Sequence, residues 1–170
     1  MASNAWTRYK LMRKLFAIGE DFWIENDRGE AIFKVDGKAL SLRHKFQVED
    51  KAGAELLSVE SKLVALQPTM KIERQGQLYA TVTKALFTLF HQHFTIQVEG
   101  RPTYEAQGDI TNHEYEVMAN GAPVAQISRQ WFSIRDAYGV AVAPELDLAL
   151  ILAAAVCIDE ISERERERNH

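Results

Sequence analysis

The chain has 170 residues, of which 46% are hydrophobic and 26% charged, with 9 Gly and 4 Pro. This excludes disordered, collagen-like and low-complexity chains, and the length fits one domain (1–170) with a sizeable core. The formal net charge of −4 argues against a nucleic-acid binder working through bulk charge, and the single cysteine, Cys157, excludes an intramolecular disulfide and suits a reducing compartment.

Along the chain one pattern recurs. An aliphatic or aromatic anchor is followed four residues on by an aromatic or Met, and six residues on by Ile or Val. It occurs at Ile18-Phe22-Ile24, Leu42-Phe46-Val48, Leu66-Met70-Ile72 and Phe90-Phe94-Ile96, so the anchors 18, 42, 66 and 90 are 24 residues apart. A fifth copy around Tyr115-Glu116-Val117 has Thr111 at its anchor position, and a sixth is Ile134-Tyr138-Val140. After each of the first five anchors comes a polar, turn-like segment with a glycine: Gly29, Gly53, Gly76, Gly100 and Gly121. The flanks alternate with period two: Leu42, His44, Phe46 and Val48 share one parity, and Arg43, Lys45, Gln47 and Glu49 the other. Such alternation marks strands with one buried face, so each repeat reads as a β-hairpin. The pattern predicts twelve strands: one within 8–17, then about 22–26, 31–35, 44–49, 55–61, 69–74, 78–84, 93–99, 103–108, 114–118, 124–130 and 137–142.

One helix is predicted over about 145–161, followed by a charged tail, 162–170. Leu148–Ile158 is apolar all the way round, and such a helix is a buried one. At 11 residues the run is too short for a bilayer, which takes roughly 17–25, so no transmembrane segment is expected. In a chain otherwise made of strands, a closed barrel can bury a helix on every side. Strands about 4.8 Å apart and tilted about 40° give eight strands a diameter of about 16 Å, and twelve about 24 Å. Only the larger barrel admits a helix about 10 Å wide with its side chains. The expected fold is therefore mainly β: a twelve-stranded closed antiparallel barrel enclosing a C-terminal helix. Its core residues are Leu148, Leu150, Ile151, Leu152, Ala154, Val156, Cys157 and Ile158. Asp147 and Asp159 mark roughly where the helix leaves the two ends of the barrel. Within Glu163–Arg168 residues four apart carry the same sign, so favourable pairs there are three apart, and the segment reads as a frayed helical extension or a solubilising tail.

The repeated hairpins, the segment Ser128-Arg129-Gln130-Trp131-Phe132-Ser133-Ile134-Arg135-Asp136-Ala137-Tyr138-Gly139-Val140 and the terminal Leu148–Ile158 followed by Asp159 resemble the LURP-one-related family over about Tyr9 to Ile161. That family groups with tubby C-terminal-like and phospholipid scramblase proteins. The resemblance implies a twelve-stranded tubby-like barrel threaded by the helix, in its shorter bacterial form. It also implies binding of phosphoinositide headgroups through basic residues on the barrel exterior. The proline-rich arm and cysteine cluster of scramblases are missing from the sequence, so scramblase activity is not expected.

Enzyme motifs are missing too: there is no GxSxG, P-loop, HExxH or dinucleotide fingerprint, and Cys157 lies within the apolar run, so no catalytic residue or cofactor is assigned. His91 and His93 share a strand face with metal-like spacing, but two imidazoles lack the further ligands a metal site needs. His44 has inward parity and reads as a hydrogen-bonded core or strand-end residue. The outward cations Arg43, Lys45, Lys71 and Arg135 are the candidate ligand-binding residues, diluted by Glu49, Glu73 and Glu99. The expected function is a non-enzymatic binding module for anionic phospholipid or phosphoinositide headgroups. The alternative is a protein-interaction or adaptor domain with no lipid ligand. Met1–Lys14 lacks the apolar core of a signal peptide, so the expected location is cytoplasmic, peripheral at the inner membrane surface.

Overall fold

The computed structural model describes residues 6–12, 21–36, 45–62, 67–86, 92–131 and 137–169. The repeat anchors Ile18, Leu42, Leu66 and Phe90 lie outside the described residues, as does His44. The strands are β1 (Thr7–Met12), β2 (Phe22–Asn26), β3 (Ala31–Val35), β4 (Lys45–Glu49), β5 (Glu55–Ser61), β6 (Thr69–Arg74), β7 (Gln77–Lys84), β8 (Gln92–Val98), β9 (Tyr104–Asp109), β10 (Glu114–Ala119), β11 (Ala122–Ser128) and β12 (Ala137–Val142). Each pairs antiparallel with its neighbours in the chain, and β1 pairs with β12 from Thr7↔Val142 to Met12↔Ala137, which closes the barrel.

The 24-residue period is written into the backbone geometry. Pairing slips by a bulge between Ile24 and Glu25 in β2, Val48 and Glu49 in β4, and Ile72 and Glu73 in β6, each 24 residues after the last. Two of the turns repeat atom for atom. Asn26 Oδ1 accepts from the Arg28 and Glu30 amides at 3.0 and 2.9 Å, and Asp50 Oδ1, 24 residues on, accepts from Ala52 and Ala54 at 2.9 Å each. Two others are two-residue turns with both central residues left-handed: Gln75 (φ 51°) with Gly76 (φ 76°), and Asn120 (φ 51°) with Gly121 (φ 78°). That geometry matches the twist of the flanking strands, and glycine supplies the second position without a Cβ clash. Bulges add local twist and bend a strand, which helps an array of hairpins curl until its edges meet.

The inner wall comes from alternate residues, among them Phe46, Val48, Leu57, Val59, Met70, Ile72, Val82, Phe94 and Ile96, all fully buried. They pack against the helix α1 (Leu148–Arg168), which is buried without interruption from Ala149 to Ile158. The helix begins three residues later than the sequence pattern places it. Asp147 is its N-cap, its side chain accepting from the Leu150 amide at 3.3 Å, while Pro144, Glu145 and Leu146 form the turn before it. Leu148 is only partly buried, because it sits at the barrel mouth.

At its other end α1 runs to Arg168 instead of stopping near 161, so the charged tail is helical. Two kinds of contact hold it. Arg164 bonds Glu160 (2.6 Å) one turn back and Ser61 of β5 (2.8 Å), and Lys84 of β7 pairs with Glu165. Glu163 and Arg166, three apart, form a further pair at 3.4 Å.

Ala154 is 1% exposed at the middle of the buried stretch. Ala154→Asp places an unpaired charge in the bore and is expected to give no soluble, cooperatively melting protein. Ala154→Gly changes only helix propensity and one methyl. It is expected to fold and to lose about 1 kcal/mol in urea unfolding. A soluble Asp variant with a wild-type melt would contradict burial of the helix on all sides.

Candidate functional site

Because α1 fills the bore, chemistry open to a ligand lies on the outer wall and at the two mouths. On the outer wall β5 runs between β4 and β6, and the register aligns Lys45 with Glu60 and Glu60 with Lys71. The two cations therefore flank one carboxylate on a single outward row. Lys45 Nζ is 3.5 Å from Glu60 Oε1 with the lysine side chain 48% exposed, and among the described residues Lys71 forms no ion pair. Arg43 and Arg135 lie outside the described residues, so the structure brings together two of the four candidate cations. Neighbouring cations on this wall are neutralised by acids one strand away: Lys10 by Glu25 (2.5 Å), and Lys34 by Asp21 (3.1 Å) and Glu49 (3.9 Å). The hydrogen bond that Lys34 Nζ donates to the Asp21 carboxylate is the main reason the ammonium is held above its ordinary range.

His91 is outside the described residues; His93 is half-buried, with Nε2 4.0 Å from Glu105. Among the described residues no three His, Cys, Asp or Glu side chains come together as a metal ion would require. Cys157 is fully buried, and burial pushes its thiol well above the ordinary range, which keeps the nucleophilic thiolate unpopulated.

At each end of the buried stretch a helix carboxylate is tied to the wall. Asp147 Oδ2 accepts from Arg74 (2.5 Å) and from the Tyr79 hydroxyl (2.6 Å), and the Arg74 guanidinium lies over the Tyr79 ring, 4.0 Å from its centroid. Beside it is a hollow of about 440 Å³ lined by Phe33, Leu56, Arg74, Asp147, Leu148 and Ala149 among others. Half-burial pushes the Asp147 carboxyl up, but the bonds from Tyr79, Arg74 and the Leu150 amide outweigh it and hold the group below its ordinary value. At the other end Asp159 Oδ1 accepts from His113 Nε2 at 2.7 Å and Oδ2 accepts from the Tyr138 hydroxyl. The His113 and Tyr138 rings lie face to face, 4.4 Å between centroids and tilted by 32°. Burial, with the nearby Asp159 charge, raises the Tyr138 and Tyr115 hydroxyls well above their ordinary values.

Sequence reasoning placed Asp147 and Asp159 where the helix leaves the two ends of the barrel and missed the four side chains that bind them among the described residues. Arg74, Tyr79, His113 and Tyr138 are 73, 68, 46 and 21 residues away along the chain, so no local spacing points to them. Of the quoted Ser128–Val140 segment, 132–136 lie outside the described residues. Trp131 stacks on Arg8 of β1 with 4.6 Å from guanidinium carbon to ring centroid, across the seam where β1 meets β12.

The family model for LURP-one-related proteins matches residues 7–159, from the first strand to the second carboxylate latch. The chain belongs to this family. It is 27% identical over 151 residues to the uncharacterized protein YxjI of Bacillus subtilis (strain 168), an alignment covering 89% of this chain and 91% of that protein. An X-ray structure of an Arabidopsis thaliana protein shares its fold, with a TM-score of 0.69 at 19% identity over 94% of this chain and 93% of the other. The fold is thus shared where about four in five residues differ, as expected when inward-facing volume carries it.

Two outcomes follow for this LURP-one-related chain. Asp147 is held below the ordinary carboxyl value of 3.8, so its contribution to stability is present above that pH and is lost as pH falls through the folded-state value. Asp147→Asn keeps a capping oxygen but no charge. Urea unfolding is expected to show it less stable than wild type at pH 7, with the difference shrinking below pH 3.8. A difference that stayed constant across that range would contradict the ion-pair role. Cys157 is expected to resist a thiol-specific disulfide reagent in the native protein and to react fully in denaturant; rapid native labelling would contradict its burial.

Proposed function

We propose that this protein is a non-enzymatic binding module. It takes an anionic phospholipid or phosphoinositide headgroup on the outer wall around β4–β6, peripherally at the cytoplasmic face of the membrane. The observation that carries the reading is the alignment of Lys45 and Lys71 on either side of Glu60, on a barrel whose bore is already filled. Strands lie about 4.8 Å apart, so the two ammonium groups stand on backbones about 10 Å apart. Flexible side chains bring both within reach of the phosphates of one headgroup. Among the described residues no helix is long and apolar enough to cross a membrane, which fits contact made from the surface. Arg43 and Arg135 join the proposal on their sequence positions alone.

Glu60 sets the affinity. Its carboxylate already holds Lys45, so an incoming phosphate competes with it and must tolerate its charge. Weak, composition-dependent adsorption follows, in keeping with the net charge of −4.

Vesicle co-sedimentation tests this. Wild type is expected to pellet with vesicles containing phosphoinositide and to stay in solution with neutral phosphatidylcholine vesicles. Each cation near an anionic surface contributes about 1 kcal/mol, so Lys45→Ala/Lys71→Ala should bind about 30-fold more weakly with an unchanged melting temperature. Glu60→Gln should bind more tightly than wild type. Absence of wild-type binding to every vesicle, or equal binding by the double alanine variant, would overturn the lipid reading and leave the protein-adaptor reading standing.

A further inference from the structure

Among the described residues four buried side-chain atoms have no hydrogen-bond partner: Gln92 Oε1, His113 Nδ1, Tyr115 Oη and Ser162 Oγ. Buried polar groups are normally satisfied, so four orphans in one protein call for a physical reason.

These atoms occupy one sector of the barrel. Gln92 on β8 and Tyr115 on β10 are both register partners of Gly108 on β9, and so lie in one row across three strands. Gln92 has the inward parity of Phe94 and Ile96, and Tyr115 that of Val117. Gln92 Nε2 reaches Thr111 Oγ1 at 3.5 Å, which turns its carbonyl oxygen inward. His113 is 3% exposed and sits two residues before Tyr115, with a left-handed backbone (φ 56°). A non-glycine residue adopts that conformation at a cost, and here its ring is held inward by Asp159.

Helix geometry places the fourth atom. At about 100° per residue, Ser162 is about 60° round the helix from Asp159, and Glu165 about 60° further the same way. Asp159 faces His113 and Tyr138, while Glu165 faces Lys84 on β7. Ser162 therefore faces the wall between, where β8 and β9 carry Gln92 and Gly108.

We propose that these four atoms form an internal binding site for one water-sized neutral molecule that donates two hydrogen bonds and accepts two. In the tautomer that carries its proton on Nε2, where Asp159 accepts it, His113 Nδ1 is an acceptor, as is Gln92 Oε1. The Tyr115 and Ser162 hydroxyls supply the two donors. Two acceptors and two donors are the complement of a single water molecule. An ammonium or metal cation would serve the acceptors and leave both hydroxyl protons without a partner. The bound molecule links β8, the β9–β10 turn, β10 and α1, and through His113 it braces the Asp159–Tyr138 latch.

A double-mutant cycle on Tyr115→Phe and Ser162→Ala tests the site, because each substitution removes one hydroxyl and almost no volume. If the molecule is bound, each single variant should melt about 2–4 °C below wild type. The double variant should then melt no lower than the weaker single, since loss of either hydroxyl breaks the shared bridge. A high-resolution crystal structure of the wild type should show a density peak within hydrogen-bond distance of all four atoms. Single variants with an unchanged or raised melting temperature would overturn the proposal, because deleting an orphaned buried hydroxyl relieves its desolvation. Strictly additive losses, or a map with no peak at the site, would overturn it as well.

Discussion

Burial of α1 on every side is the constraint from which the rest of the molecule follows. A helix with no polar stripe from Ala149 to Ile158 cannot lie on one face of an open sheet without exposing apolar surface to water. A closed sheet solves this, and it must be wide enough to leave room for side chains between wall and helix. Twelve strands in six hairpins meet the requirement, and the bulges at 24, 48 and 72 help the array curl into a cylinder. Closure also removes the sheet edges that would invite pairing with another chain. The same constraint decides what the bore can do: filled by the chain's own helix, it is core and not a cavity for a headgroup-sized ligand.

The helix is fixed along its axis as well as surrounded. Asp147 and Asp159 stand 12 residues apart, about 18 Å along a helix, and each accepts from one tyrosine hydroxyl and one side-chain nitrogen of the wall. Apolar packing is nondirectional and would tolerate sliding or rotation of a smooth Ala- and Leu-rich rod. The two carboxylates supply direction, since each is satisfied at one depth and one rotation only. The continuation to Arg168, held by Lys84 and Ser61, extends this anchoring beyond the bore.

With the interior committed to structure, the surfaces left open to a partner are the two mouths and the outer wall. On the outer wall the charges alternate across strands: Lys10 against Glu25, Asp21 against Lys34 against Glu49, Lys45 against Glu60. Paired charges keep a β-surface soluble and discourage association, but they also damp its attraction for anions. Lys71, beside Glu60 and without an ion pair of its own among the described residues, is where that damping is least complete.

The sequence by itself determined the strands, the turns and the helix, because those depend on short-range periodicities: alternation with period two, a turn segment with glycine in each 24-residue repeat, and an unbroken apolar run. It also determined the barrel, since the width needed by the helix and the number of hairpins agree. The helix ends were shifted, because capping by Asp147 and the contacts of Arg164 and Glu165 outweigh the composition that suggested 145 and 161. Only the tertiary structure decided which side chains meet across the barrel. That Glu60 separates Lys45 from Lys71 depends on the registers of two hairpins, and that His113 and Tyr138 grip Asp159 depends on how far the helix is inserted. Register and insertion depth are global quantities, set by the packing of all strands at once, and no local stretch of residues encodes them.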